Sequence, residues 1–180
     1  MAILDILLAP HPTLVAKAKP VEGLDDEICT LAADMLQTMY DAPGIGLAAN
    51  QVGRLERVLV MDCQRDPEGE PMPKVLVNPE IIWESDELAS YEEGCLSIPQ
   101  QYADVERPAE VKVVFMDLNG HEQEAHFTGL EATCVQHEID HLNGVLFWDH
   151  VSTLKRNMLK RKLSKLKKER ERASKQGETL

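Results

Sequence analysis

The sequence predicts an α+β protein in which antiparallel or mixed β-sheets pack around a central helix, with a further helix near the N-terminus and a basic helix at the C-terminus. Three observations predict this. Apolar residues recur at helical spacing over residues 28–40 and again over 130–142. Between them, residues 57–127 carry short apolar runs separated by turn residues, a β pattern. Finally, residues 153–180 hold eleven of the nineteen Lys and Arg but three of the thirty-one Asp and Glu, with leucines at helical spacing.

Taken in order, residues 1–24 read as extended chain and loops, broken by Pro10, Pro12, Pro20 and Gly23. Asp25 or Asp26 is suited to cap the first helix, whose apolar positions are Ile28, Leu31, Ala32, Met35, Leu36, Met39 and Tyr40. Proline disfavours helical geometry in the residue before it, so this helix is expected to stop at Asp41-Ala42-Pro43-Gly44. Val58-Leu59-Val60-Met61 and Val75-Leu76-Val77 are strands, the second ended by Asn78-Pro79. Residues 111–116 lead to Asn119-Gly120, the dipeptide preferred in a type I′ hairpin, and residues 124–127 return. The central helix should run from about Leu130 to Leu142 and end at Asn143-Gly144, a left-handed stop. After an apolar strand or turn at residues 145–148, Ser152 or Thr153 begins the basic helix, with Leu154, Met158, Leu159, Leu163 and Leu166 as its apolar stripe.

A chain of 180 residues suits one domain with a proper core, and 43% hydrophobic with 28% charged residues suits a globular protein. No segment approaches the roughly 18–20 uninterrupted apolar residues of a membrane span. The N-terminus lacks a basic region and has Asp5 within its apolar run, so no signal peptide is expected and a reducing cytoplasm is the expected address. Cys29, Cys63, Cys95 and Cys134 are dispersed and lack a C-x-x-C pair, which suggests core thiols or metal ligands rather than disulfides. The net charge of −12 conceals a split, +8 over residues 153–180 and −20 over the remainder. An acidic body repels nucleic acid and anionic membrane, so neither DNA nor a membrane is expected as its partner, and any polyanion falls to the tail. A monomer is expected.

Chemistry concentrates in Gln136-His137-Glu138-Ile139-Asp140-His141. Two imidazoles four residues apart share a helical face, with Cβ atoms roughly 5–6 Å apart, so both can reach one ion. Glu138 lies at the edge of that face, suited to move a proton to or from solvent beside the ion. The bland alternative is a helix whose histidines are satisfied separately. A catalytic ion needs a third protein ligand. An H-E-x-x-H-x-x-G-x-x-H site would supply it at position 147, but Phe147 cannot ligate, and the nearest glutamates after His141, Glu169 and Glu171, lie among lysines and arginines. Upstream, Glu93-Gly94-Cys95-Leu96-Ser97 exposes a cysteine beside a glycine, and Cys95 is either this ligand or a plain core thiol. Gly44-Ile45-Gly46-Leu47-Ala48-Ala49 formally matches a dinucleotide fingerprint, but a helix and not a strand precedes it. What this segment offers instead is flexible backbone followed by Gln51, whose amide can donate to an oxyanion without adding charge.

The segments G-I-G-L-A-A-N-Q, E-G-C-L-S and Q-H-E-I-D-H, in this order and at these separations, resemble the three signature motifs of the peptide deformylase family. His11-Pro12-Thr13-Leu14 and Ala18-Lys19-Pro20-Val21 also resemble its N-terminal segment, and the likeness covers roughly residues 5–150. The short gap between the first two motifs, with the long C-terminal helix, resembles the form typical of Gram-negative bacteria. The resemblance implies a metal-dependent hydrolase that removes the N-terminal formyl group from formyl-methionine of newly made proteins and releases formate. It implies that Cys95, His137 and His141 hold one divalent ion, iron(II) in the cell, with zinc, nickel or cobalt in purified protein, and that air inactivates the iron form. Glu138 becomes the acid/base, while the Gln51 amide and the Leu96 backbone N–H stabilise the oxyanion. Ile45, Cys134 and His137 line a methionine pocket, and the backbones of Ile45, Gly46 and Gly94 pair with the substrate as an added strand. Leu130 joins either the pocket or the core. Tyr102, where relatives often carry arginine, puts contacts at the substrate rim in doubt. Asp140 reads as an exposed helix carboxylate before it reads as support for a ligand, and His11, His121, His126 and His150 read as structural.

Residues 1–150 are then the catalytic domain and 151–180 a basic helix and tail. The tail is either a solvated helix or a dock for ribosomal RNA near the nascent chain. Competing readings of the whole chain are a zinc-dependent peptidase and a ribosome-associated binding module with a structural metal.

Overall fold

Asp25 caps the first helix, α1 (Asp26–Asp41), by accepting from the Ile28 N–H, and α1 stops where Pro43 requires. In the computed structural model, which describes residues 1–64 and 66–177, the chain continues as β1 (Gly46–Ala48), β2 (Val58–Met61), β3 (Lys74–Glu84), β4 (Leu88–Cys95), β5 (Ile98–Pro108), β6 (Glu110–Met116), β7 (Glu122–Thr128), α2 (Gly129–Leu142) and α3 (Thr153–Gly177). Short 3₁₀ turns lie at Pro12–Val15, Ala49–Val52 and Phe147–His150. The last three residues of the expected tail, 178–180, fall outside the described residues.

β1, β2, β3, β6 and β7 form one antiparallel sheet in that order, and β4 with β5 forms a separate hairpin. The continuous apolar run of β2 follows from burial on both faces. Val58 and Val60 pack with Ile28, Leu31, Met35 and Met39 of α1, whereas Leu59 and Met61 pack with Cys134, Val135, Ile139 and Leu142 of α2. The sheet therefore lies between two helices, and α2 is central. A third apolar cluster joins β5, the Leu146-Phe147-Trp148 segment and Leu159 and Leu163 of α3.

Two local expectations are corrected. β3 does not end at Asn78-Pro79. It bulges there, with Asn78 at φ +52, and resumes to Glu84. A bulge tolerates proline within a sheet. Asn78 also pairs its side chain with Val21 N and O, both at 2.8 Å, mimicking a backbone partner. The Asn119-Gly120 hairpin is not type I′, because of its two central residues only Gly120 has positive φ. Gly120 N–H donates to Asp117 O at 3.1 Å, and the Asp117 carboxylate accepts from the Asn119 and His121 N–H groups, so a turn built on Asp117 replaces the two-residue loop. At the end of α2, Gly144 has φ +76, and a Cβ there would stand 2.5 Å from Val15 O. That glycine is required twice over.

Candidate metal centre

Helical spacing on α2 brings His137 Nε2 within 3.2 Å of His141 Nε2. Cys95 reaches them from the end of β4, where a register shift between Gly94 and Cys95 turns its side chain out of the hairpin's alternation. Its Sγ lies 3.3 Å from His141 Nε2, and the three donor atoms lie within 4.8 Å of one another. Bonds of about 2.0–2.3 Å to a tetrahedral ion separate its ligand atoms by about 3.3–3.6 Å, so the residues fit a zinc-like divalent cation. His137 is 8% and His141 0% exposed. Burial works to lower the pKa of His137, but hydrogen bonds with Cys95 and Glu93 carry it well above its ordinary value. Burial and the neighbouring His137 push His141 well below. Such a trio competes for protons that a cation would replace.

Behind the trio stands a charged network. His137 Nδ1–H donates to Glu93 Oε1 at 2.8 Å, which leaves Nε2 as the ligating atom. Arg107 on β5 grips Glu93 through Nε (2.7 Å) and Nη2 (3.0 Å), and its Nη1 donates to Asp140 Oδ2 at 2.8 Å. His150 Nε2 lies 2.7 Å from the same Asp140 oxygen. Asp140 is thus not the exposed carboxylate expected, because Arg107 draws it inward. Phe147, where a third histidine was sought, stacks on the His137 ring with centroids 6.2 Å apart. The other expectedly structural histidines fit that reading: His11 caps the first 3₁₀ turn, and His126 pairs with Glu110.

In front of the trio opens a cavity of about 480 Å³ between β1, an edge strand of the sheet, and the β4–β5 hairpin. Ile45, Gly46, Gln51, Gly94, Cys95, Leu96, Cys134, His137 and Glu138 all line it, as do Leu130 and Tyr102. His141 lies beneath. Close approach explains the glycines: a Cβ on Gly46 would collide with the Glu138 carboxylate, and one on Gly94 would stand 2.6 Å from the Tyr102 ring. Gln51 Oε1 accepts from Ala48 N–H at 3.0 Å, which turns its NH₂ toward Ser97 Oγ (3.2 Å) and Cys95 Sγ (3.6 Å) at the cavity floor. Glu138 is 4% exposed and its Oε2 has no hydrogen-bond partner, and burial pushes its pKa up to about 7 against the pull of His137. A carboxylate poised near neutrality both takes and returns a proton. The Cys134 thiol is raised by its hydrogen bond with Cys63 and by burial.

Sequence reasoning missed Glu93, Arg107 and Ser97. Glu93 and Ser97 stand inside the second motif. Arg107 was signalled by strand parity alone, since it continues the inward series Gln101, Ala103, Val105 of β5.

Comparison with known proteins supports one assignment. A family model described as Polypeptide deformylase matches residues 3–157. The chain is 54% identical over 165 residues to a peptide deformylase of Phenylobacterium zucineum, covering 92% of this chain and 97% of that protein. Its fold matches the crystal structure of a peptide deformylase from Legionella pneumophila with a TM-score of 0.88 and 46% identity, covering 95% and 99% of the two chains. It matches that of the Ehrlichia chaffeensis peptide deformylase in complex with actinonin with a TM-score of 0.87 and 38% identity, covering 94% and 98%. With a matching family model over most of its length and relatives above half identity, this chain belongs to the peptide deformylase family.

Proposed function

We propose that this protein hydrolyses the formyl amide at the N-terminus of nascent polypeptides, giving formate and a free methionine amine. The observation that carries the reading is the meeting of Cys95, His137 and His141 beside a buried, proton-poised Glu138 at the floor of a cleft between two strand edges. A divalent cation held by those three residues would act as Lewis acid toward the formyl oxygen and acidify solvent. Glu138 accepts the proton of the attacking water and hands it to the departing nitrogen. Negative charge developing on the formyl oxygen is met by the Gln51 NH₂ and the Leu96 backbone N–H, each worth about 3–4 kcal/mol in a preorganised site. The backbones of Ile45, Gly46 and Gly94 extend the substrate as an added strand, while Ile45, Cys134, Leu130 and the His137 ring enclose its methionine side chain. Tyr102, at the rim where arginine often stands, offers the following residues a neutral aromatic surface.

Residues 1–150 would then form the catalytic unit of a cytoplasmic monomer. Residues 151–180 would form an accessory arm, with Lys and Arg at its exposed outer end suited to ribosomal RNA. Iron(II) is the proposed cellular metal because the family implies it; a thiolate and two imidazoles by themselves suit zinc, nickel or cobalt equally. Formate release from formyl-Met-Ala-Ser, measured beside cleavage of the unformylated peptide, separates deformylase from peptidase. Release from the former alone is expected, and cleavage of the latter would overturn the reading. Metal analysis on anaerobically prepared protein should find iron with activity that air destroys. Actinonin, bound by the Ehrlichia relative, should compete with substrate. A purely structural metal is disfavoured because such sites are closed by four protein ligands, and among the described residues three converge.

A further inference from the structure

Two thiols flank the β1–β2 pairing that forms one wall of the cleft, and the reaction uses neither as a nucleophile. Asp62 N–H donates to Ile45 O at 2.9 Å, and Cys134 Sγ lies 3.5 Å from the same oxygen. Cys63 is the next residue after Asp62. It packs on the apolar cluster that contains Cys134, and it is the first cause that raises the Cys134 thiol. Their accessibility differs. Cys134 is 4% exposed and lines the substrate cavity, whereas Cys63 is partly exposed and is not among the residues that line it.

We propose that Cys63 and Cys134 form a reversible disulfide that deforms the methionine pocket. The proposal rests on the reading of Cys134 as a pocket wall given above. The oxidant it requires is a low-molecular-weight disulfide. The Cys63 thiolate attacks one sulfur of that disulfide, its S–S bond breaks, and one thiolate leaves and takes up a proton. The Cys134 thiol then loses its proton to solvent and attacks the Cys63 sulfur of the mixed disulfide, expelling the second small thiolate. Two protein thiols are oxidised and one small disulfide is reduced to two thiols. A covalent S–S bond is much shorter than a non-bonded sulfur contact, so bonding draws Cys134 Sγ toward Cys63 and changes its contact with Ile45 O. That sulfur also stands 2.9 Å from where a Gly46 Cβ would lie, so its displacement disturbs the wall that Ile45 and Gly46 present to substrate.

The test treats zinc-loaded protein with oxidised glutathione, maps its peptides by mass spectrometry without reduction, and follows formate release from formyl-Met-Ala-Ser. Expected are a linked Cys63–Cys134 peptide and a rise in KM of roughly tenfold or more, the scale of a misplaced methylene in an apolar pocket. Dithiothreitol should reverse both. Cys63→Ser and Cys63→Ala should show neither, while keeping the turnover of the reduced enzyme. Absence of the linked peptide overturns the proposal, as does equal inhibition of the Cys63 variants, which would put the damage at Cys95. A linked peptide with unchanged KM overturns the effect on the pocket. Should the reduced protein release no formate at all, the deformylase reading fails, and the peptide map still decides the disulfide.

Discussion

Helices α2 and α3 are both rich in ionisable side chains, yet those side chains live in opposite environments. On α2, His137, Glu138 and His141 are buried and Asp140 is partly buried. On α3, Leu159 and Leu163 alone are buried among the described residues, and positions 168–177 are exposed. Desolvation makes the difference. A buried charge must find a partner, shift its pKa or do chemistry, whereas a solvated one does little unless another molecule arrives. Ionisable residues should therefore give large mutational effects on α2 and small ones on α3.

The largest effect is expected at Glu138. Glu138→Gln preserves shape and removes the acid/base, so turnover should fall by about 10²–10⁴. Metal content and thermal stability should stay near normal. Formate release with parallel metal analysis checks this, and a variant keeping more than a tenth of normal turnover would refute the role.

Next comes Arg107, whose removal strands two carboxylates behind the metal ligands. Arg107→Leu should cost about 3–5 kcal/mol in urea unfolding, the range for breaking a buried ion pair from one side. In metal-stripped protein that cost should depend on pH. Burial alone would raise both carboxyls. Hydrogen bonds from His137 and Arg107 at Glu93, and from His150 and Arg107 at Asp140, instead hold both below their ordinary range. Carboxylates depressed in the folded state contribute stability above their unfolded pKa of about 4, and that contribution is lost as pH falls through the lower folded value. The gap between wild type and Arg107→Leu should thus be full at neutrality and shrink below about pH 4. A gap independent of pH would show that Arg107 contributes packing alone.

The contrast between the helices also explains what could be read from sequence. The α2 site was legible because its chemistry is local: His137, Glu138 and His141 are one helical turn, and Cys95, Gly46 and Gln51 sit in short motifs. Three helix boundaries were legible for the same reason, the two ends of α1 through Asp25 and Pro43 and the end of α2 through Gly144. What stayed hidden depends on residues far apart in the chain. Arg107 joins Glu93 to Asp140 only after β5 folds over α2, so Asp140 looked solvated. The bulge at Asn78 depends on Val21, and the Asp117 turn on a side chain outside the Asn-Gly pair. On α3 the 3.6-residue period found the stripe but not its limits. The body touches Leu159 and Leu163, while Leu154 at 72% exposure faces away.

That limit is itself testable within α3. Leu163→Ala, which opens the cluster shared with Phe147 and Trp148, should cost about 2–5 kcal/mol by urea unfolding. Leu154→Ala should stay within about 0.5 kcal/mol. Equal costs would mean that α3 packs through a different face.

The smallest intrinsic effect belongs to the outer charges of α3. Replacing Lys168, Arg170 and Arg172 by glutamine should change stability by less than about 0.5 kcal/mol, because exposed charges there are already solvated. Turnover of a short formyl peptide should not change, since none of the three lines the cleft. If the arm docks on ribosomal RNA, the same substitutions should weaken ribosome co-sedimentation and flatten its log–log salt dependence by about one unit for each phosphate contact removed. Truncation after Lys167 is the companion variant, because it keeps Leu159 and Leu163 and hence the body, which a cut after His150 would not. An unchanged salt slope in both variants would make the arm a solvated helix and nothing more. A loss of stability in the triple variant would mean that α3 is held by its charges, which would reverse the contrast with α2.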